Sequence, residues 1–164
     1  MNLSEKEIQD KIILLGAYIG VSFTQEYTVE ALPNSKTKTR RFDLIHKGEE
    51  LRILELKKGR ITLNDVANII GTRGYGKLAR LNFPKERIYI YFLSPQERGI
   101  EEEAKTLIEE IPYCKYMHIE DLGKGMFEIY LERLPLAGQW QANRIYEEFK
   151  SIIGFIDPST LFTP

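Results

Sequence analysis

Apolar residues near the start of the chain recur at the spacing of a helix. Ile8, Ile12 and Leu15 share one face of such a helix and are expected to face the core. Ser4 stands in front of this face as a helix cap, and Glu7 completes a capping box with it. The chain is therefore predicted to begin with an amphipathic helix that contributes one apolar face to the core.

Shorter apolar and β-branched runs follow this helix and predict strands. The first three are YTVEAL (27–32), RRFDLIH (40–46) and LRILELKK (51–58). Further along, the pattern predicts a helix over 61–70, a flexible glycine-rich turn in 71–84, a buried strand over 87–93, a helix over 95–111, strands over 116–120 and 126–134, and a final helix over 139–153. A strand, a helix and a strand in succession are typical of a crossover connection in a mixed sheet, so we expect an α/β fold.

The size and composition of the chain predict one domain. Its 164 residues, 43% of them hydrophobic, suffice for one compact core, and we expect residues 133–164 to form a helical extension of it. No run of about eighteen apolar residues and no basic, apolar leader is present. Cys114 is the one cysteine in the chain, which favours a reducing compartment. We therefore expect an intracellular, cytoplasmic protein.

Charge is distributed unevenly along the chain. The formal net charge is −1, yet residues 36–87 contain 14 Lys and Arg against 6 Asp and Glu, and the remainder contains 9 against 18. A basic middle segment of this kind is typical of a surface that faces nucleic-acid phosphates. It is equally consistent with ordinary solvated charge, so the charge pattern alone leaves both interpretations open.

Two familiar kinds of site are disfavoured by the residues themselves. GTRGYGK (71–77) has the spacing of a phosphate-binding loop, but Leu78 occupies the place of the magnesium-binding Ser or Thr and a helix is predicted before it. His46 and His118 lack metal-ligand spacing, and Cys114 has no third group to orient it against a histidine. Neither nucleotide hydrolysis nor a Cys/His nucleophile is predicted.

The strand over 51–58 ends in charge. Alternation along an extended chain places Leu51, Ile53, Glu55 and Lys57 on one face. That face passes from apolar residues to a carboxylate and an amine. A strand emerging from the core into water would have the same pattern, so the pattern needs support from neighbouring elements.

The preceding strand supplies a second carboxylate if the hairpin has the right register. A three-residue loop over 48–50 places Asp43 opposite Glu55, whereas a loop of two or four residues places it beside the other face. With Asp43 in register, Glu5 from the first helix and Lys57 complete a charged group. Converging carboxylates suit magnesium, and a metal with a nearby amine suits hydrolysis of a phosphodiester.

The pattern of Asp43 followed by Glu55-Leu56-Lys57 resembles the PD-(D/E)xK nuclease superfamily. Over residues 4 to about 120 the sequence is similar to archaeal Holliday-junction resolvases and to the nuclease domain of archaeal mismatch endonucleases. The resemblance implies a restriction-endonuclease-like core, with a mixed central sheet flanked by helices. It also implies Asp43, Glu55 and the Leu56 carbonyl as ligands of Mg²⁺ or Mn²⁺, and Lys57 as the amine that orients or activates water. Glu5 matches the helix carboxylate of the family, with Glu7 as its rival.

The resemblance implies that the protein is a magnesium-dependent DNA endonuclease. Candidate DNA contacts are Lys36, Lys38, Arg40, Arg41, Arg60, Asn68, Arg73 and Lys77; Asn68, which matches a glutamine of the related endonucleases, is also explicable as a helix-surface amide. Cutting both strands of a duplex with one active site per chain favours a homodimer or a higher homo-oligomer, and the apolar segment 152–162 is a candidate interface or core segment. The alternatives are a catalytically degenerate DNA-binding module on the same fold, and a purely structural cluster of charges.

Overall fold

A computed structural model describes residues 3–133 of the chain. In it, a five-stranded sheet has the order β1 (Thr24–Glu30), β2 (Thr39–Lys47), β3 (Leu51–Leu56), β4 (Ile88–Ser94) and β5 (Cys114–His118). The first three strands are antiparallel and the last three parallel. The helices are α1 (Glu5–Tyr18), α2 (Leu63–Ala67), α3 (Tyr75–Asn82), α4 (Glu102–Glu110) and α5 (Ile119–Arg133). The fold is therefore α/β, with a mixed central sheet flanked by helices, as predicted. Within residues 3–133 no helix is both long and apolar enough to cross a membrane.

The central strand β3 is buried on both faces. Leu51 and Ile53 belong to a core between the sheet and helices α2, α3 and α4. Leu54 and Leu56 belong to a second core, between the sheet and helices α1 and α5. Glu55 is buried with these apolar residues, so emergence of β3 into water does not explain the carboxylate at its end. The charge there requires another explanation.

Helix α1 begins after the Ser4 cap, as predicted, and of the predicted capping box the bond from the Glu7 N–H is present. The Glu7 N–H donates to the Ser4 hydroxyl at 3.1 Å, and the apolar face of the helix is buried in the second core. Gly16 lies inside the last turn of this helix, where a Cβ would lie 2.6 Å from the Val21 carbonyl oxygen and 2.8 Å from the Phe23 ring. The chain that leaves α1 can fold back this closely only because residue 16 has no side chain.

The hairpin between β2 and β3 has the three-residue loop that the sequence predicts. Leu44 pairs with Leu54 and Lys47 pairs with Leu51, which leaves residues 48–50 in the loop. This register brings the next residue of β2, Asp43, to the level of Glu55. The predicted register, which places Asp43 opposite Glu55, is confirmed.

The strand predicted over 126–134 is wrong, because α5 runs through this segment to Arg133. Ile119, Met126 and Phe127 of this helix are buried against α1 and the sheet. Met126 and Phe127 follow Ile119 by seven and eight positions, about two helical turns, so the three share one helix face, and tertiary packing selected this period over the local β-propensity.

The helix predicted from residue 95 begins seven residues later, at Glu102. Ser94 ends β4, and residues 95–99 form a turn in which Gly99 has a φ of +67°. The turn is held because Ile100 forms a parallel bridge with Ile61. The predicted helix start was thus overridden by a pairing distant in sequence. Strand β5 begins and ends two residues before the predicted strand.

The segment between β3 and β4 is more helical than predicted. The helix predicted over 61–70 contains α2 and then a π-helical segment, Asn68–Thr72. The flexible turn predicted in 71–84 is wrong for its second half, because α3 forms there and buries Tyr75, Leu78 and Ala79. Glycine spacing suggested a turn, whereas burial of this apolar face decided for a helix. The predicted helix over 139–153, the extension over 133–164 beyond Arg133 and the candidate interface over 152–162 lie outside the described residues.

Candidate active site

Two carboxylates meet at the point where β2 separates from β3. The ladder between these strands ends at Leu44 and Leu54. One step further, a carboxylate oxygen of Asp43 (Oδ2) accepts the N–H of Leu56 at 2.9 Å, and the N–H of Asp43 donates to Oε1 of Glu55 at 3.4 Å. The Asp43 side chain thus takes the place of a main-chain partner. The divergence of the strands makes room for both carboxylates.

The neighbouring strand β1 is distorted at the same level. Glu26 lies between the pairs that join Gln25 to Leu44 and Tyr27 to Phe42, and its φ is +53°. This left-handed conformation is unusual for a residue with a side chain, and such strain is frequent at functional sites. The carboxylate of Glu26 is paired with Arg41, whose Nη1 lies 2.8 Å from Oε2.

The pKa values of both carboxyl groups at the site are raised. Burial, and then the charge of Asp43, raise the pKa of Glu55 well above its usual value. Burial also raises the pKa of Asp43; the Leu56 N–H opposes this shift, and the charge of Glu5 adds to it. Glu55 is only 6% exposed. A nearby cation would favour the ionised form of both groups.

A cavity of about 230 Å³ opens above these groups. Charged residues from several helices, strands and loops line this cavity, and they include Glu5, Asp43, Glu55, Lys57, Asp65 and Arg73. The four residues predicted to form the catalytic group therefore line one cavity. Two further charged residues, Asp65 and Arg73, join them.

Glu5 is tied to the end of β3. Its Oε1 accepts the N–H of Lys58 at 3.2 Å, which fixes the first turn of α1 beside the charged end of the strand. Glu7 contributes its backbone N–H to the Ser4 cap instead and does not line the cavity. Of the two rival helix carboxylates, Glu5 is the one that lies at the site.

Lys57 is held by a residue that the sequence analysis missed. Its Nζ lies 3.3 Å from Oδ1 of Asp65. Asp65 in turn forms a capping box at the start of α2, where Oδ2 accepts the Thr62 N–H at 2.8 Å and the Asp65 N–H donates to the Thr62 hydroxyl at 3.1 Å. The spacing of Thr62 and Asp65 is a recognisable capping signal. Nothing in the sequence indicates that the same carboxylate reaches Lys57.

The oxygen donors suit a hard divalent cation. Within residues 3–133, no three His, Cys, Asp or Glu side chains lie close enough together to form a metal site by themselves. Asp43 and Glu55 nevertheless place two carboxylates side by side next to the Leu56 main chain. Mg²⁺ and Mn²⁺ are commonly held by one or two carboxylates with other oxygens and waters, so the residues present fit such an ion.

The predicted DNA contacts fall into two groups. Arg40, Arg41 and Arg73 line a second cavity of about 770 Å³, which also includes Glu5 and Asp43. Asn68 and Arg73 line the first cavity. The others, Lys36, Lys38, Arg60 and Lys77, are exposed and lie outside both cavities. Arg73 is thus shared by the two cavities.

The residues set aside in the sequence have ordinary structural roles. His46 contacts the Ser22 carbonyl oxygen through Nδ1 at 3.0 Å, and His118 contacts the Tyr116 hydroxyl at 2.9 Å. Cys114 is buried, and burial raises the pKa of its thiol to about 12. A thiol of such high pKa is a poor nucleophile at neutral pH.

Comparison with known proteins identifies similar folds. No family model and no curated protein matches the chain. Among solved structures, the chain is similar to AF1548, a protein of unknown function, at 12% identity over 94% of this chain and 92% of that one, with a TM-score of 0.51. It also matches a repair endonuclease from Pyrococcus abyssi (17% identity, 72% of this chain and 47% of that one, TM-score 0.47). A further match is EndoMS in a complex with double-stranded DNA (18% identity, 72% and 46%, TM-score 0.47). The chain spans about half the length of these two endonuclease chains.

Proposed function

We propose that the protein is a metal-dependent DNA endonuclease of the PD-(D/E)xK type. The observation that carries this proposal is the convergence of Asp43 and Glu55 where β2 leaves β3, with Lys57 two residues further along, in one cavity with Glu5. A buried pair of carboxylates is costly for a protein that uses it only for stability. Its retention beside an amine is explained by metal-assisted hydrolysis.

Each residue has a role that follows from its position. Asp43, Glu55 and the Leu56 carbonyl would hold Mg²⁺ or Mn²⁺. Such an ion polarises a phosphoryl oxygen and assists deprotonation of water. Lys57 would orient the attacking water through Nζ, which Asp65 holds at the edge of the cavity. Glu5 would fix the N-terminus of α1 at the site and accept hydrogen bonds from water there.

The positive charges around the site favour DNA as the phosphodiester substrate. Arg40, Arg41 and Arg73 lie around the cavity that adjoins the carboxylates, and cations in this position bind phosphates by releasing counterions. Lys36, Lys38, Arg60 and Lys77 would extend the contact outward, and Asn68 would contact water or phosphate. We further propose a homodimer, because one site per chain cuts one strand at a time.

The second candidate function is DNA binding without cleavage. One observation favours it, namely that Lys57 is paired with Asp65 at 3.3 Å and is thereby partly neutralised. A binding module would use the basic cavity alone. Fold does not distinguish the two candidates, so the distinction requires an activity measurement.

Cleavage of a panel of labelled DNAs tests the proposal. Plasmid, linear duplex, four-way junction and mismatched duplex are each incubated with Mg²⁺, with EDTA, and with the Asp43→Ala protein. Glu49→Ala, which removes an exposed carboxylate from the loop at the opposite end of the hairpin, is the matched control. We expect magnesium-dependent cleavage that Asp43→Ala abolishes and Glu49→Ala retains. DNA binding without any cleavage by the folded wild-type protein would support the binding module instead.

A further inference from the structure

Arg73 occupies an unusual position in the backbone. It directly follows the π-helical segment Asn68–Thr72, and its N–H donates to the Asn68 carbonyl at 2.7 Å. Gly74 comes next with a φ of +63°, and a Cβ there would lie 2.5 Å from the Leu32 side chain. Isolated π-helical turns are rare and frequently occur at functional sites. Together these features fix the direction in which Arg73 leaves the helix.

Arg73 lies at the junction of the two cavities. It lines the smaller cavity with Glu55 and Lys57, and it also lines the larger cavity with Arg41. Glu5, Asp43 and Arg73 line both cavities, and Arg73 is the cation among these three. Its charge acts on the buried Glu55, where it lowers the pKa against the larger effects of burial and Asp43.

A buried tyrosine fixes the Arg73 side chain. Nη1 of Arg73 donates to the Tyr75 hydroxyl at 3.4 Å, and this hydroxyl donates to the Arg41 carbonyl oxygen at 2.8 Å. Tyr75 is 1% exposed, and its ring packs edge-on against Phe42 at 4.9 Å. Tyr75 therefore ties the guanidinium to the part of β2 that carries Asp43.

Arg73 differs in its partners from Lys57 and Arg41. Lys57 is paired with Asp65, and Arg41 is paired with Glu26. Arg73 forms no ion pair within residues 3–133, and its hydrogen bond to Tyr75 uses one of the five N–H donors of a guanidinium. The remaining donors have the planar fork that matches two oxygens of one phosphate. Arg40 also forms no ion pair among residues 3–133, but it does not line the smaller cavity.

We propose that Arg73 is a catalytic residue that contacts the phosphate being cut, and that Tyr75 is the positioning residue that holds it there. This inference rests on the proposed function and deepens it. Charge accumulates on the phosphoryl oxygens as water attacks, and a cation held in place before the reaction stabilises that charge. Lys36 and Lys38, by contrast, are exposed and suit neighbouring phosphates of the backbone.

Cleavage kinetics form the first test. Arg73→Ala, Arg73→Lys and Tyr75→Phe are compared with Arg87→Ala, which removes an arginine immediately before β4. Arg87 lies about 17 Å of extended chain from Phe92, the residue that pairs with Glu55. We expect kcat of Arg73→Ala to fall by about 10² to 10³, with a smaller change in KM. Arg73→Lys restores part of kcat because the charge remains, and Tyr75→Phe falls between the wild type and Arg73→Ala. A kcat of Arg73→Ala within threefold of the wild type overturns the proposal.

DNA binding gives a readout that does not require cleavage. The dissociation constant for duplex DNA is measured in EDTA over a range of salt concentrations. Loss of one phosphate contact is expected to reduce the slope of log K against log salt by about 0.9 for Arg73→Ala, while Arg73→Lys retains the slope. Arg87→Ala retains it as well. An unchanged slope for Arg73→Ala overturns the role of Arg73, even if the wild type cleaves DNA.

The two proposals fail in distinguishable ways. If the wild-type protein binds DNA but never cleaves it, the proposed endonuclease function is wrong. A reduced salt slope in Arg73→Ala would then still support the phosphate contact. Cleavage that depends on Asp43 but not on Arg73 supports the endonuclease and overturns the catalytic role of Arg73. A wild-type protein that binds no DNA overturns both.

Discussion

The capping carboxylate of α2 offers a sharp test of how the site is held together. Asp65 accepts the Thr62 N–H at 2.8 Å through one oxygen and contacts the Lys57 amine at 3.3 Å through the other. Asp65→Ala removes both contacts, whereas Asp65→Asn retains an acceptor for the cap and removes only the ion pair. The two variants therefore separate the helix cap from the salt bridge.

The cap is expected to contribute most of the stability. Loss of a capping side chain typically costs about 1 kcal/mol. The side chains of Lys57 and Asp65 are 45% and 25% exposed, so solvent screens the ion pair and we assign it about 0.5 kcal/mol. Asp65→Ala should therefore lower the free energy of unfolding by about 1.5 kcal/mol, and Asp65→Asn by about 0.5 kcal/mol. For a chain of this size the first value corresponds to a fall in Tm of about 3–6 °C.

Urea denaturation and thermal melting at neutral pH measure both variants. Asn64→Ala, at the exposed neighbouring position of the same helix, is the control and should change stability by less than about 0.5 kcal/mol. Equal losses for Asp65→Asn and Asp65→Ala would refute the argument, because the ion pair and not the cap would then supply the stability.

The pH dependence of the same variant has a definite sign. Burial raises the pKa of Asp65, but the hydrogen bonds from Thr62 and the charge of Lys57 outweigh it, so the pKa lies below its usual value of 3.8. The folded protein therefore releases this proton more readily than the unfolded chain. The part of the wild type's advantage over Asp65→Ala that depends on the carboxylate charge should be complete above pH 3.8 and disappear as the pH falls through the lowered pKa.

Three further predictions concern the site and its scaffold. Lys57→Ala should lower the cleavage rate by about 10² to 10⁴ and leave the dissociation constant for DNA within a few-fold; an unchanged rate would remove Lys57 from the mechanism. In EDTA at neutral pH, Glu55→Gln should be more stable than the wild type, because the raised pKa of Glu55 makes its ionisation costly in the folded state. Thermal melts over a pH series should show the difference in stability between the two proteins closing towards pH 4.5. A variant less stable than the wild type would contradict this reasoning. Gly16→Ala should destabilise by about 1–3 kcal/mol, because its Cβ would lie 2.6 Å from the Val21 carbonyl oxygen. Gly125→Ala, which meets nothing within 4 Å in α5, should be neutral or stabilising in the same urea titration.

The charged end of β3 was readable from the sequence because its signals are local. The side-chain period of two along a strand assigns Glu55 and Lys57 to one face, and a three-residue loop then determines the register with Asp43. The Ser4 cap acts over a single helical turn. Neither prediction required knowledge of the distant parts of the chain.

Local secondary-structure propensity predicted the wrong element where contacts with distant residues compete with it. The segment over 126–134 has strand-like composition but becomes a helix because α1 and the sheet bury its apolar face. The start of α4 moves to Glu102 because Ile100 pairs with Ile61. In both cases the free energy of a tertiary contact exceeds the small intrinsic propensity of the segment.

The sequence by itself determined that two carboxylates meet, since the alternation along β3 and the length of one loop are sufficient to bring Asp43 to Glu55. Only the tertiary structure decided which groups the cations near these carboxylates contact. Lys57 meets Asp65 because α2 begins beside the end of β3, and Arg73 lines the cavity of the carboxylates from a position between a π-helical turn and a left-handed glycine. These pairings depend on the angles between packed elements, and sequence periodicity carries no information about such angles.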